Sequence, residues 1–282
     1  MAKESGTTFM DLTPHIPVGR LAVWQHRVDS PKARVLIIHG LSEHSGRHLN
    51  TVRYLNSLNF EVVRFDLRGA GYSGGKRQWI ESFEDYIEDT TEIYNWIARE
   101  TSALPLFVLG HSLGGAIAIH FASRYNSTLA GLILSAPAYL LGGGISPIKV
   151  KIGQWLVRVT PTLRLPKSTT ANLISKDAVI VKVYENDPLS CHFNTLQQGD
   201  AIIKTLVDLP KCFSHITIPT LIVHGSSDQI IRLEGSFEML KKLHSTPKEL
   251  FIVPGGFHEL HNEIDSDRES YFTRLGQWLN KH

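Results

Sequence analysis

The stretch Leu106-Phe107-Val108-Leu109-Gly110-His111-Ser112-Leu113-Gly114 decides the fold. Its first four residues form a short apolar run of the kind that reads as a buried strand. The run ends in Gly-x-Ser-x-Gly, and an Ala-rich apolar helical pattern over 115–123 follows at once. Strand, glycine-flanked serine and helix together describe a nucleophile elbow, a turn too tight for side chains beside the serine. Such a turn projects the hydroxyl into a site from a strained backbone. The pentapeptide alone is a weak signal, because a Gly-rich helix start that merely packs closely has the same letters. The flanking elements decide for the elbow.

Other apolar runs repeat the alternation. Val35-Leu36-Ile37-Ile38 and Glu61-Val62-Val63-Arg64-Phe65 read as strands, with a helix between them over 48–58 carrying Val52 and Leu55 on one face. Leu132-Ile133-Leu134, Leu221-Ile222-Val223 and Leu250-Phe251-Ile252-Val253 add three more. Strands alternating with helices predict βαβ units and a mostly parallel sheet covered on both faces. Looser alternation over 8–12 and 21–25 predicts an antiparallel hairpin at one sheet edge. Phe83, Ile87, Thr90, Tyr94 and Ile97 form one helical stripe, preceded by Ser82 and Asp85 at capping-box spacing. Tyr271, Leu275, Trp278 and Leu279 form another. Both stripes read as core faces rather than ligand boxes. The rhythm breaks over 138–214, where Ile148, Ile152, Trp155, Leu156 and Val159 share a helical face, with Lys149, Lys151 and Arg158 among them. Pro161 and Pro166 stop that helix, and a second helical segment covers 197–207. The chain therefore divides into 1–137, an insertion over 138–214, and 215–282.

Composition excludes several classes. The 282 residues carry 29 Lys and Arg against 27 Asp and Glu, a net charge of +2, with 42 % hydrophobic and 20 % charged residues. A general nucleic-acid binder would present a basic face that this balance does not suggest. Cys191 and Cys212 form neither a disulfide scaffold nor a zinc spacing. The opening Met1-Ala2-Lys3-Glu4-Ser5-Gly6 lacks the apolar core of a signal peptide, and no run approaches the roughly eighteen apolar residues of a membrane span. A cytoplasmic protein is expected.

A serine hydroxyl attacks only when a base takes its proton. For an elbow of this kind the chain order is Ser, acid, His. Fourteen histidines leave the base open by count. His258, in Pro254-Gly255-Gly256-Phe257-His258, follows the last strand and can swing over the elbow; His261 is the runner-up. His39 and His111 adjoin backbone turns and read as structural. Asp228, in His224-Gly225-Ser226-Ser227-Asp228, follows the preceding strand and would fix the tautomer of His258. Asp66 precedes the serine and reads as the pin of a tight loop. The oxyanion needs two preset N–H donors, each worth about 3 kcal/mol in the barrier. The backbone amides of Leu113 and Leu41 are the candidates. None of this chemistry calls for a metal or a cofactor.

These residues together resemble the α/β-hydrolase superfamily, and within it the monoacylglycerol lipase and lysophospholipase family. The resemblance spans nearly the whole chain. It is most specific in His39-Gly40-Leu41-Ser42-Glu43-His44-Ser45-Gly46-Arg47, the loop over 66–75, Ser112, Asp228, and His258 followed by Asn262-Glu263. It implies a mostly parallel eight-stranded sheet flanked by helices, with a helical cap inserted where 138–214 lies. The cap, with Asn186-Asp187-Pro188-Leu189 as a family feature, normally shapes an acyl tunnel. Leu140, Leu141, Ile148, Ile152, Trp155 and Leu156 are the expected lining. The implied activity is cleavage of single-acyl-chain lipid esters such as monoacylglycerols. Lysophospholipase, general carboxylesterase, aminopeptidase of the same fold, and non-enzymatic ligand binding are the alternatives. The apolar cap face beside its cations can also rest on a membrane surface.

Overall fold

The structure is a computed structural model that describes residues 8–11, 21–99, 104–143, 147–166 and 171–282. β1 (Thr8–Asp11) and β2 (Ala22–His26) form the expected antiparallel hairpin. Next come β3 (Ala33–Ile38), α1 (Leu49–Ser57), β4 (Phe60–Phe65), α2 (Glu84–Ala98), β5 (Leu106–His111), α3 (Leu113–Tyr125) and β6 (Gly131–Ser135). The chain then leaves the sheet for α4 (Pro147–Val157), β7 (Arg164–Pro166), α5 (Ala178–Glu185), β8 (Phe193–Thr195), α6 (Leu196–Asp208) and α7 (Pro210–Phe213). It returns for β9 (Thr220–Gly225), α8 (Leu233–Lys242), β10 (Lys248–Val253) and α9 (Asp265–Leu279).

The main sheet has eight strands in the order β1-β2-β4-β3-β5-β6-β9-β10. The β1–β2 and β2–β4 pairs are antiparallel, and every other pair is parallel. Successive side chains of a strand face opposite ways, so the central strands feed two cores. Leu36, Ile38, Val63, Phe65, Val108 and Leu132 pack on one side with Ile87 and Ile93 of α2 and Ile117 and Phe121 of α3. Val35, Ile37, Val62, Phe107, Leu109 and Ile133 pack on the other with Val52 and Leu55 of α1 and Tyr271, Leu275 and Trp278 of α9. Both aromatic stripes read from the sequence are thus core faces. The capping box at α2 forms only in part. The Asp85 carboxylate accepts the amides of Glu81 at 2.7 Å and Ser82 at 3.4 Å, but Ser82 returns its backbone carbonyl rather than its hydroxyl.

Two features of 138–214 differ from a purely helical insertion. β7 and β8 pair as a short antiparallel ribbon, Arg164 opposite Thr195. The second half also sinks into the main core, where Ala201, Ile202, Leu206, Leu209 and Phe213 are buried with α3 residues. Parallel strands all end at one sheet edge. The loops after β3, β5, β9 and β10 therefore meet there, which is where ligands bind in open α/β sheets.

Candidate active site

Ser112 sits between β5 and α3 at φ 52°, ψ −119°. A non-glycine residue held there stores about 1–3 kcal/mol of strain, and its neighbours hold it in place. Its amide donates to Ser135 O at 3.0 Å, and its carbonyl accepts from Gly115 N and Ala138 N, both at 2.9 Å. The two motif glycines are required by close approach. A Cβ on Gly110 would lie 2.3 Å from Gly114 O, and one on Gly114 would lie 2.1 Å from Ile38 O. Ser112 opens into a cavity of about 780 Å³ whose walls include Leu41, Leu113, His258 and Glu259. Neither the Leu41 nor the Leu113 amide donates to a protein acceptor among the described residues.

Asp228 and His258 stand at the ends of the loops after β9 and β10. His258 Nδ1 donates to Asp228 Oδ2 at 2.7 Å, which leaves Nε2 as the free acceptor. The aspartate is locked in turn: Oδ1 accepts the amides of Ile230 at 2.8 Å and Ile231 at 3.0 Å. His224 Nε2 lies 3.2 Å from Oδ2. Burial pushes this carboxyl up, but His258 and His224 outweigh burial and hold it well below the usual carboxylate range. Burial likewise pulls the His258 imidazole down, yet the Asp228 carboxylate carries it above its ordinary value of 6.5. Among the described residues no hydrogen bond joins Ser112 to His258. Catalytic contacts of this kind are commonly loose until substrate is bound.

The rival residues serve other ends. Asp66 accepts the Ser45 and Tyr72 amides, each at 2.8 Å, and so pins its loop as expected. His39 Nε2 accepts the Leu67 amide at 2.9 Å. His111 contacts Ser135 O at 3.1 Å, and burial, aided by His258, pushes it down to about 3. His261 stacks on His48 with ring centroids 4.3 Å apart rather than meeting Asp228.

Sequence reasoning passed over the charges beneath the serine. Glu43 is buried, and its Oε1 accepts the Gly40 amide, one residue before Leu41. Arg47 Nη2 lies 2.5 Å from Glu259 Oε2, and its Nε lies 3.7 Å from Glu43 Oε2. Asn262 Nδ2 also donates to Glu259 Oε2, at 2.9 Å. The Arg47 guanidinium lies 4.8 Å from the centre of the Tyr184 ring. The four-residue step from Glu43 to Arg47 was the available signal, but no periodic element drew attention to it.

The cavity wall corrects the tunnel read from the sequence. Of the six expected lining residues, only Leu141 lies on it; Leu140 does not. On α4 the cavity face carries Val150, Gly153 and Gln154. Ile148, Ile152 and Trp155 point outward and are 70 %, 53 % and 62 % exposed, with half-buried Leu156 also off the wall. Lys151 and Arg158 are exposed beside them, and the side chain of Lys149 lies outside the described residues. Among the described residues no group of three or more His, Cys, Asp or Glu side chains could hold a metal ion.

Comparison with known proteins gives consistent results. Residues 29–265 match the family described as serine aminopeptidase, S33. The chain is 30 % identical over 262 residues to the monoacylglycerol lipase of Mycolicibacterium smegmatis, covering 92 % of each. It is 31 % identical over 258 residues to the monoglyceride lipase of Homo sapiens, covering 89 % of this chain and 84 % of that one. The crystal structure of Paleococcus ferrophilus monoacylglycerol lipase superposes with a TM-score of 0.83 at 28 % identity, covering 92 % of this chain and 98 % of that one.

Proposed function

The chain belongs to the α/β-hydrolase family of monoacylglycerol lipases, and we propose that it cleaves monoacylglycerols to fatty acid and glycerol through an acyl-enzyme on Ser112. It is a hydrolase of the esterase and lipase type. We read 1–137 and 215–282 as the hydrolase core and 138–214 as its cap. The observation that carries the mechanism is the 2.7 Å contact between Asp228 and His258, with His258 lining the same cavity as the strained Ser112.

Ser112 Oγ attacks the ester carbonyl while its proton passes to His258 Nε2. The oxyanion of the tetrahedral intermediate accepts from the amides of Leu41 and Leu113. His258 returns the proton to the departing glycerol oxygen as the C–O bond breaks. A water then attacks the acyl carbon, giving its proton to His258, which passes it to Ser112 Oγ as the acyl–Oγ bond breaks and the fatty acid leaves. Asp228 holds Nδ1 protonated and stabilises the transient imidazolium.

The family description raises an aminopeptidase reading, which needs free carboxylates for a substrate amine. Three carboxylates, Glu43, Asp200 and Glu259, do line the cavity, but Arg47 faces both glutamates and Lys204 lies 2.6 Å from Asp200. That pairing favours an ester. We also propose peripheral membrane contact through the outward face of α4, where Ile148, Ile152 and Trp155 are exposed. Among the described residues no helix is long and apolar enough to cross a membrane.

The test is a side-by-side assay of monolaurin and proline p-nitroanilide, with a fluorophosphonate probe on wild type and Ser112→Ala. Monolaurin turnover and probe labelling confined to the wild type are expected. Preferred cleavage of the anilide, or turnover retained by Ser112→Ala, overturns the reading.

A further inference from the structure

Glycine inside a helix costs about 1 kcal/mol relative to alanine, so its presence usually has a local reason. Gly114 in α3 and Gly276 in α9 have one: a Cβ on either would lie within 2.3 Å of another atom. Gly153 in α4 and Gly199 in α6 have none. Neither has a positive φ. A Cβ on Gly199 would meet nothing within 4 Å, and one on Gly153 would meet only Leu196 Cδ1 at 3.9 Å. Both glycines line the cavity that holds Ser112, and α4 packs against α6. The absent side chains therefore open space that belongs to the cavity. Ile202, Ile203 and Leu206 continue the α6 wall as apolar surface. Asp200, beside Gly199, is paired with Lys204 at 2.6 Å.

We propose that Gly153 and Gly199 are specificity-determining residues, which keep the channel between α4 and α6 open to a long acyl chain. The proposal rests on the lipid-ester reading of the same site. The missing side chains trade helix stability for channel width. Filling them shortens the chain that can be housed, and each methylene excluded lowers kcat/KM about fourfold.

The experiment measures kcat/KM on monoacylglycerols from butyryl to palmitoyl for wild type, Gly153→Val, Gly199→Val and Gly199→Leu. Gly153→Ala and Gly199→Ala serve as stability controls. The palmitoyl-to-butyryl ratio falls about sixteenfold for every two methylenes excluded. The two alanine variants raise Tm, because alanine is the better helix former. An unchanged ratio in a folded Gly199→Leu protein overturns the proposal, as does an equal loss at every chain length. Should the leucine variant not fold, the two valine variants give the same reading. Ser112 labelling rates with ethyl and dodecyl fluorophosphonates keep the two readings apart. A wild type that labels faster with dodecyl but cleaves no monoacylglycerol faults the head-group assignment alone. A wild type with no preference for dodecyl faults the channel.

Discussion

Glu43 accepts the backbone amide of Gly40 and thereby fixes the loop whose next residue, Leu41, the proposed oxyanion donor, lines the same cavity as Ser112. His48 Nε2 lies 3.3 Å from the same carboxylate oxygen. Burial pushes the Glu43 carboxyl up, but His48, together with His111 and His39, outweighs it and holds the group well below the usual range. On the proposed mechanism the side chain acts on the oxyanion through the backbone, which makes it a positioning residue. Removing one oxyanion donor costs about 10²–10³ in kcat, and Glu43→Ala is expected to approach that loss with little change in KM. Glu43→Gln keeps an acceptor for Gly40 and should recover part of it. Steady-state kinetics checks this, together with affinity for a boronic acid that mimics the tetrahedral intermediate. A Glu43→Ala enzyme that loses activity only through KM would contradict the assignment.

The pH profile follows from the sign of the shift at His258. Only the neutral imidazole can accept the Ser112 proton, and the Asp228 carboxylate favours the charged form. Activity is therefore low below the His258 pKa and climbs as pH rises through it, with the midpoint above the ordinary 6.5. In Asp228→Asn burial acts without that opposing carboxylate, so the midpoint moves down. The rate falls too, because the amide no longer fixes the productive tautomer; in another hydrolase the matching change costs about 10⁴ in kcat. A pH–kcat/KM profile for both proteins is the measurement. A midpoint that rises in Asp228→Asn would refute the role given to the aspartate.

Arg47 joins two carboxylates that the chain sets far apart, Glu43 and Glu259, and its side chain is 5 % exposed. Removing one partner of a buried ion pair leaves an uncompensated charge, typically a loss of roughly 3–5 kcal/mol. Arg47→Ala is expected to lose stability on that scale in urea unfolding. Arg47→Lys keeps the charge but cannot contact both oxygens of Glu259 in parallel, so it should fall between. An Arg47→Ala midpoint equal to wild type would show the network to be dispensable.

The extent to which the sequence was legible follows from the range of each signal. Ser112, Asp228 and His258 stood out as candidates because each follows an apolar run of three or four letters, and the same runs predict the mostly parallel sheet. The Arg47–Glu259 contact was not legible, because 212 positions separate its partners and neither lies on a periodic element. The face of α4 was misread for a different reason. Helical spacing identifies an apolar stripe, as at Ile148, Ile152 and Trp155, but not what covers it. In α2 and α9 the stripe meets the sheet, whereas in α4 it meets solvent. The β7–β8 ribbon has three residues per strand, too few for an alternating pattern to register.

That outward stripe sets the last expectation. Ile148 and Val159 are each 70 % exposed and Trp155 is 62 % exposed. Lys151 and Arg158 lie in the same helical region and suit an anionic lipid surface. Full burial of one such side chain contributes about 1.5–3 kcal/mol, so losing one contact should weaken partitioning by roughly tenfold or more. Ile148→Asp and Trp155→Ala are each expected to reduce co-sedimentation with vesicles containing anionic lipid. Neither residue lines the cavity, so turnover of a water-soluble butyrate ester should be unchanged. Turnover of monoacylglycerol presented in the vesicles should fall with binding. If both variants bind vesicles as the wild type does, the face has another purpose. If the soluble ester is also lost, the stripe reaches the acyl channel after all, as its spacing in the sequence first suggested.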